Sequence, residues 1–253
     1  MRPDWWKPFF TPANFPITEL SLSRSTRQEA AALLRLLRLP RGARVLDLCC
    51  GVGRHSVLLA KAGLRVTGFD QSGSYLAAAR RAARKKGLEA EFVRGDMRRL
   101  PFEGAFDAVV NLWTSFGYFP RLEDDRGALR GMLRSLKPGG RLVLEMVDGR
   151  RLLSGLPLKD WNREGRLWCL ESHRLRRGAD PAVFSERIFI GPDRAPRGGE
   201  TFTRVYTRGR LEAELRRAGF VRIRILAGLI EPWAPLSRRR RILALAERER
   251  GES

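Results

Sequence analysis

Cysteine is scarce in this sequence: 253 residues contain three, and two of them, Cys49 and Cys50, are adjacent. This number and spacing exclude a disulfide framework and a CxxC-type zinc site, so we predict no metal site. The longest stretch without a charged residue, 108–120, is well short of the roughly 20 apolar residues that a membrane helix needs. The opening MRPDWWKPFF lacks the apolar run of a signal peptide. We therefore expect a cytoplasmic protein without a membrane partner.

Lysine is also scarce, with six residues among the 49 basic ones; the rest are arginine. Against 28 acidic residues this gives a net charge of +21, a field that could bind nucleic acid by displacing counterions from phosphates. The arginines are spread over the whole chain, and only residues 238–241 form a run. Such scatter is more typical of a heat-adapted or compositionally biased proteome. We expect a thermophilic source and do not favour a nucleic-acid partner.

The pattern of apolar residues indicates a folded α/β protein. Hydrophobic residues make up 43% of the chain, and its length suffices for one domain with a sizeable core. After an irregular aromatic arm of about twenty residues, Thr26 and Glu29 form the pattern of a capping box ahead of a helix ending near Pro40. Short apolar strands then alternate with helices, which predicts a parallel sheet covered by helices on both faces. The predicted strands span 44–48, 64–69, 90–93, 106–112 and 141–147, and helices span 54–62, 74–86 and a region around 129–136.

The alternation of strands and helices stops between about residues 152 and 207. Three segments of alternating polarity, at 167–175, 183–190 and 200–206, predict a small antiparallel β-meander inserted into the domain. Because a small isolated sheet is marginally stable, we expect it to lie over the carboxyl ends of the parallel strands. A helix at 208–218 and strands at 221–227 and 241–246 follow. About a dozen residues separate these last strands, too few for a helical crossover, so they should pair antiparallel.

A glycine turn in residues 45–56, VLDLCCGVGRHS, joins a predicted buried strand to a helix start. Gly51 and Gly53 permit close backbone approach, and the helix start offers unpaired N–H groups. Ser56 stands where a dinucleotide-binding motif would carry its third glycine. Asp70 ends the next strand, where a carboxylate can accept hydrogen bonds from ribose hydroxyls; the alternative is an ordinary helix cap.

A third carboxylate, Asp96, follows the third strand in the unit RGDM. At this point the chain resembles the class I S-adenosylmethionine-dependent methyltransferases, through six motifs in order. They are VLDLCCGVG, VTGFD, RGDM, FDAVVNLWTSFGYF, LKPGGRLVLEM and the terminal strand pair. The resemblance covers about residues 41–146 closely and the last fifty in outline. It implies a Rossmann-like, doubly wound, mostly parallel seven-stranded sheet with an antiparallel last strand. Methyl transfer in this family is a direct displacement that needs no protein nucleophile.

The resemblance also implies which residues bind the cofactor S-adenosyl-L-methionine. Asp70 would bind the ribose and Asp96 the adenine amino group, with Met97 packing on the ring. The full set is Asp47, Cys49, Gly51, Gly53, Asp70, Gln71, Asp96, Met97, Asn111 and Leu112. Cys49 stands at the position where the family usually has the first glycine of this turn. We expect neither of the adjacent cysteines to act as a catalytic thiol, because small buried cysteines are usually inert.

The acceptor site is less well defined. Residues 113–119, WTSFGYF, follow the fourth strand, where acceptors dock in the family; their rings would either cage an acceptor or pack in the core. Three residues at sheet ends are candidate proton acceptors: Tyr118, Glu145 and Asp148. His55 and His173 are expected to be structural. The aromatic arm would either cover the cofactor or pack as a strap.

We expect two parts: an arm and helix over residues 1–40, and a methyltransferase domain over 41–253 with an insertion at about 152–207. The predicted function is methyl transfer to a small-molecule acceptor, because the meander could roof a pocket and no RNA-binding module is recognisable. A transfer- or ribosomal-RNA methyltransferase is the first alternative, supported by the arginine excess. An NAD-dependent oxidoreductase and a non-catalytic RNA-binding protein are alternatives of another class. The oxidoreductase is disfavoured by the missing third glycine and the terminal strand pair.

Overall fold

The structure is a computed structural model that describes residues 2–20, 23–155, 159–192, 194–229 and 241–251. Its main sheet has seven strands, six of which fall within or close to their predicted positions. They are β1 (Arg44–Leu48), β2 (Arg65–Asp70), β3 (Ala90–Arg94), β4 (Phe106–Asn111), β5 (Leu136–Val147), β10 (Val221–Ala227) and β11 (Arg241–Glu247). The helices are α1 (Trp6–Phe9), α2 (Ser23–Leu37), α3 (Arg54–Lys61), α4 (Gly73–Arg84), α5 (Leu122–Ser135), α6 (Gly149–Gly155) and α7 (Arg208–Ala218). Of the arginine run at 238–241, Arg241 alone lies within the described residues.

The strand order is β10-β11-β5-β4-β1-β2-β3. The pairs from β5 to β3 are parallel, whereas β11 runs antiparallel to both β5 and β10. This confirms the predicted doubly wound sheet with an antiparallel last strand. The carboxyl ends of β1, β2 and β4 therefore meet at one edge of the sheet.

Alternation along the central strands produces a core on each face of the sheet. Leu46 of β1 packs with Val109 of β4 and with α5 and α7, whereas Val45 points to the opposite face and packs with Leu33 of α2. Each of these four side chains is fully buried. The sheet is thus covered on both sides, as the continuous apolar runs of a parallel sheet predict.

The inserted sheet has four strands, where the sequence predicted three. They are β6 (Lys159–Glu164), β7 (Leu167–Arg176), β8 (Ala182–Gly191) and β9 (Arg194–Arg204), in the order β6-β7-β8-β9 and all antiparallel. The missed strand, KDWNRE, is an edge strand with too few apolar residues to show alternation. In the part of the chain that the structure describes, no helix combines the length and hydrophobicity needed to cross a bilayer.

Two boundary predictions were wrong. The capping box is not formed, because α2 starts at Ser23, and Thr26 and Glu29 lie within it with both side chains engaged by α3. The strand predicted to start at Arg141 instead begins at Leu136 and includes the KPGG segment. It pairs Leu136 with Phe106, and the register then shifts before Arg141 pairs with Ala108. The glycines therefore accommodate an irregularity within the strand.

Candidate active site

The glycine turn between β1 and α3 is built from three residues in the left-handed region. They are Cys49 (φ 60°), Gly51 (φ 56°) and Gly53 (φ 71°). Gly51 borders a cavity, whereas a Cβ at Gly53 would lie 2.8 Å from Ala79 Cβ, so Gly53 allows α4 to pack closely. A cysteine in this conformation is uncommon. Its Sγ lies 3.6 Å from the sulfur of Met97.

Two buried carboxylates, Asp47 and Asp70, lie beside this turn. Asp70 accepts hydrogen bonds from the backbone N–H groups of Gly51 (2.9 Å) and Ser72 (2.8 Å), one on each oxygen. Asp47 accepts one from Ser56 Oγ at 2.5 Å. Burial raises the pKa of both carboxyl groups despite these hydrogen bonds. A cation or hydroxyl donors brought to this edge would stabilise their charged forms.

Asp96 lies at the end of β3 with a partner that sequence reasoning missed. Arg98 donates to both of its oxygens, with Nη2 at 2.6 Å from Oδ2 and the backbone N–H at 3.0 Å from Oδ1. Burial would raise the pKa of Asp96, but Arg98 holds it below its usual value. The guanidinium also lies 5.0 Å from the ring of Trp6 and 4.9 Å from that of Phe119. Arg98 thus connects the aromatic arm to the strand end.

A cavity of about 290 Å³ joins these strand ends to the arm and to the inserted sheet. The predicted residues that line it are Asp47, Cys49, Gly51, Asp70, Gln71, Asp96, Met97, Leu112 and Tyr118. From the inserted sheet, side chains of β6 to β9 line the same cavity, which places that sheet over the carboxyl ends of the parallel strands, as predicted. Burial and the nearby Asp70 and Asp47 raise the pKa of both adjacent thiols, so neither is a ready nucleophile.

Four of the predicted site residues do not line the cavity. One is Gly53, and another is Asn111, which is fully buried and donates to the carbonyl of Leu48 at 3.1 Å, joining β4 to β1. Glu145 accepts from Arg241 at 2.9 Å and from the backbone N–H of residue 229 at 3.0 Å. Asp148 accepts from the backbone N–H of Arg150 at the start of α6. The geometry gives Glu145 and Asp148 structural partners and no contact with the cavity.

The aromatic arm covers the cavity by packing on the segment at 113–119. Trp5 donates its indole N–H to the carbonyl of Tyr118 at 2.9 Å. The ring of Phe10 stacks on Tyr118, with centroids 5.4 Å apart, and Trp6 meets Phe119 edge to face. Trp5 and Trp6 are buried and line the cavity. The arm is therefore both a packed strap and a cover.

Glu29 of α2 anchors a buried polar cluster behind the glycine turn, which sequence reasoning missed. It accepts hydrogen bonds from His55 Nε2 (2.7 Å), the indole of Trp113 (2.8 Å) and Arg54 Nη1 (3.3 Å). Burial would raise the pKa of Glu29, but these partners hold it below its usual value. The cluster ties α2 to the start of α3 and to the loop after β4. This gives His55 the structural role that the sequence predicted.

Replacing Glu29 with glutamine is expected to lower the free energy of unfolding by about 1.5–3 kcal/mol, because three hydrogen bonds lose their charged acceptor. Urea unfolding measures the change. Glu89→Gln, at an exposed position, is the matched control and should change stability by less than about 0.5 kcal/mol. Equal stabilities of the two variants would show that the cluster does not hold the turn.

The inner face of the inserted sheet contributes polar side chains to the cavity, and the sequence pattern alone does not place them together. Glu171 and His173 on β7, Ser185 and Arg187 on β8, and Thr201 on β9 all line the cavity. Their shared face follows from strand alternation, since residues 167, 169, 171 and 173 are buried while 168, 170 and 172 are exposed. The period of two was visible in the sequence, but the cross-strand partners depend on the register.

Comparison with known proteins agrees with this architecture. Residues 45–140 match the family model of a methyltransferase domain. A relative named as an S-adenosyl-L-methionine-dependent Diels-Alderase, from Talaromyces variabilis, is 34% identical over 56% of this chain and 48% of its own. The glycine/sarcosine N-methyltransferase of Parasynechococcus marenigrum is 30% identical over 72% of this chain and 59% of its own. The chain spans about half the length of the first curated relatives it matches.

Among solved structures, an S-adenosylmethionine-bound amino pentose methyltransferase from Micromonospora echinaspora superposes with a TM-score of 0.66. It is 26% identical, and the match covers 88% of this chain and 91% of that one. A methyltransferase from Clostridium acetobutylicum, at 16% identity and a TM-score of 0.74, shares the fold over 88% of this chain and 92% of its own. The strand order, the carboxylates at the strand ends, the family model and these likenesses agree, and residues 45–140 form a domain of the class I S-adenosylmethionine-dependent methyltransferase family.

Proposed function

We propose that this chain binds S-adenosylmethionine at the carboxyl ends of β1, β2 and β3 and transfers its methyl group to a small-molecule acceptor under the inserted sheet. The observation that carries the proposal is the shared cavity. Its lining combines the strand-end carboxylates, the aromatic arm and the polar inner face of β7 and β8. A ligand at the strand ends and a second ligand beneath the inserted sheet would therefore meet inside one cavity.

The residues at the strand ends fit the proposed cofactor. Each Asp70 oxygen accepts one backbone N–H and keeps a lone pair for a ribose hydroxyl. A Cβ at Gly51 would have Ile17 as its nearest neighbour, at 3.6 Å. The space beside the glycine turn is therefore open to the cofactor. Asp47 supplies a buried carboxylate for the amino group of the methionine moiety. The donors of Arg98 fill the acceptor positions of Asp96, so an adenine amino group would have to displace one of them.

The chain's contribution to the reaction is positioning, charge and exclusion of water. The cofactor would supply a methyl group bonded to a cationic sulfonium sulfur. The acceptor would attack this methyl carbon and displace the neutral thioether. Asp47 and Asp70 make the strand ends locally acidic, which favours a cation despite the net charge of +21. The arm and the inserted sheet enclose the reacting groups and exclude water. Burial raises the pKa of Tyr118, so its phenol stays protonated and can donate a hydrogen bond but not act as a base.

Two relatives support a small acceptor, because their names give an amino pentose and glycine or sarcosine as substrates.

Equilibrium dialysis against labelled S-adenosylmethionine and labelled NAD tests which cofactor the chain binds. We expect saturable binding of S-adenosylmethionine and no competition by NAD. Retention of NAD without S-adenosylmethionine would refute the proposed function.

An RNA acceptor is the alternative raised by the arginine excess. Several arginines are paired within the fold, including Arg126 with Glu214 at 2.8 Å, Arg241 with Glu145 and Arg187 with Glu171. We therefore expect binding to total cellular RNA that is weak and disappears at physiological salt. Filter binding at two salt concentrations measures it. Saturable binding with a slope of several times the roughly −0.7 expected per phosphate contact would favour the RNA acceptor.

We also infer a cytoplasmic setting and a heat-adapted source. All three cysteines are free thiols, the state that a reducing compartment maintains. The many arginine–carboxylate pairs are of the kind that contributes more at high temperature. Thermal unfolding of the purified chain above about 80 °C would support the second inference, whereas a midpoint in the 45–65 °C range of mesophilic domains would contradict it.

A further inference from the structure

The inserted sheet has an apolar patch on its outer face, the face opposite the cavity. Trp161 is 67% exposed, and Trp168 and Leu170 are each 40% exposed. Within the described residues, these three are the large hydrophobic side chains left exposed. The two tryptophan rings lie 5.3 Å apart, and the half-buried Ile188 and Ile190 complete the patch. Exposed apolar side chains gathered on one face are characteristic of an interaction surface.

We propose that the outer face of the inserted sheet binds the same face of a second copy of this chain. The two sheets would pack face to face as a β-sandwich, around a two-fold axis that is parallel to the strands and lies between β7 and β8. This axis places β6 of one copy over β9 of the other and β7 over β8. The inference concerns assembly and does not depend on the proposed function.

The register of the sheet arranges the outer side chains in rows that run across the strands. One row consists of Lys159 on β6, Ser172 on β7, Glu186 on β8 and Glu200 on β9. All four residues are exposed. The row is therefore basic at one edge of the sheet and acidic at the other. None of its three charged side chains forms an ion pair with another described residue.

This distribution of charge selects a second copy as the partner. Glu186 and Glu200 lie directly opposite each other, and like charges in such positions destabilise a sheet. The two-fold axis places Lys159 of the second copy over Glu200 and next to Glu186. Because the axis relates the two copies, the same contact forms twice, once at each edge of the sandwich. Each copy thus supplies the cation that the acidic pair of the other lacks.

The neighbouring row is matched in size by the same axis. It consists of Trp161, Leu170, Ile188 and Gly198. In the sandwich, Trp161 of one copy lies over Gly198 of the other, so the largest side chain of the row meets the residue that has none. Leu170 lies over Ile188. Sheets packed about 10 Å apart require such interdigitation of their side chains.

The outer face has the size of a small specific interface. Four strands of this length present a face on the order of 500 Å², so two copies would cover about 1,000 Å², close to the minimum for a specific contact. The inner faces of both sheets still line their own cavities, so the two sites stay separate. A small sheet also gains stability when both of its faces are packed.

Sedimentation velocity of the full chain tests the assembly. At concentrations up to about 100 μM, a range that reveals micromolar dissociation constants, we expect a species of twice the chain mass of 28.8 kDa. Trp161→Ser should raise the dissociation constant at least about tenfold, because aromatic residues dominate the energy of interfaces. The ring is mostly exposed in the single chain, so far-ultraviolet circular dichroism should be unchanged.

Charge reversal tests the orientation of the two copies. Lys159→Glu should raise the dissociation constant at least about tenfold, because it places a carboxylate against two others. Adding Glu186→Lys and Glu200→Lys to the same chain reverses the whole row and should restore the dimer. Lys85→Glu makes the same change at the exposed end of α4, and this matched control should dimerise like the wild type.

The proposal fails if the wild-type chain stays monomeric at the highest concentration. It fails equally if a dimer forms but neither Trp161→Ser nor Lys159→Glu weakens it. A triple variant that keeps the circular dichroism of the wild type and stays monomeric would contradict the two-fold arrangement. Cosedimentation of a monomeric wild type, but not of Trp161→Ser, with phospholipid vesicles would assign the patch to a membrane surface instead.

Discussion

Replacing Asp70 with alanine is expected to weaken S-adenosylmethionine binding by about 1.5–3 kcal/mol, or roughly ten- to 150-fold. The substitution removes the carboxylate that would accept the ribose hydroxyls. It also removes the acceptor that fixes Gly51 N–H in the glycine turn at 2.9 Å. Both losses act on the cofactor end of the cavity, and titration calorimetry measures the affinity.

The matched control for this variant is Asp107→Ala. Asp107 lies at the start of β4, the opposite end of the sheet, where it accepts from Lys137 and from the backbone of Arg44. Its loss should leave cofactor affinity within a factor of about two, because surface pairs contribute little and do so locally. An Asp70→Ala protein with the affinity of the Asp107→Ala protein would contradict the ribose assignment.

Replacing Arg204 with alanine is expected to lower the free energy of unfolding by about 3–5 kcal/mol. Arg204 is fully buried at the end of β9, where it donates to Asp125 at 2.8 Å and also pairs with Asp180. Its Nη2 donates to the carbonyls of Phe119 and Pro120 at 2.9 and 3.0 Å. Without the guanidinium, the buried carboxylate of Asp125 loses its charged partner and keeps the neutral hydroxyl of Tyr206 as a donor. Two carbonyls also lose a donor, and the inserted sheet loses one of its connections to the aromatic segment.

The charge of Asp125 explains why this effect should be large. Burial raises the pKa of Asp125 to about 6 even with Arg204 in place, so the carboxylate depends on its partner to stay charged. Arg216→Ala is the control, because Arg216 is exposed on α7 and pairs only with Glu212 among the described residues. It should change stability by less than about 0.5 kcal/mol in urea unfolding. Similar losses for both variants would mean that the buried pair does not anchor the inserted sheet.

The fold was largely predictable because its signals are local. Buried parallel strands give continuous apolar runs, and glycine marks the ends of several helices, so the strands at 44–48, 106–111 and 221–227 were found within a residue or two. β6 was not found, because an edge strand such as Lys159–Glu164 buries too little to leave an apolar pattern. The prediction of a capping box was wrong because the side chains of Thr26 and Glu29 form hydrogen bonds with residues of α3. A local sequence pattern cannot show such a tertiary interaction.

The candidate site was predictable only in its cofactor half. Strand-end carboxylates can be placed from sequence, since the ends of neighbouring parallel strands converge, and Asp47, Asp70 and Asp96 do meet at one cavity. The pairing of Glu171 with Arg187 depends on the register of β7 against β8, which the turn between these two strands determines and the sequence pattern does not fix. Arg98 lies two residues from Asp96, yet its stacking on Trp6 joins segments more than ninety residues apart.

The most direct test of the proposed function follows the methyl group itself. The purified chain is incubated with methyl-labelled S-adenosylmethionine and a cell extract separated into small molecules, RNA and protein. We expect the label in the small-molecule fraction. Label recovered in the RNA fraction, or no transfer to any fraction by a chain that binds the cofactor, would contradict a small-molecule methyltransferase.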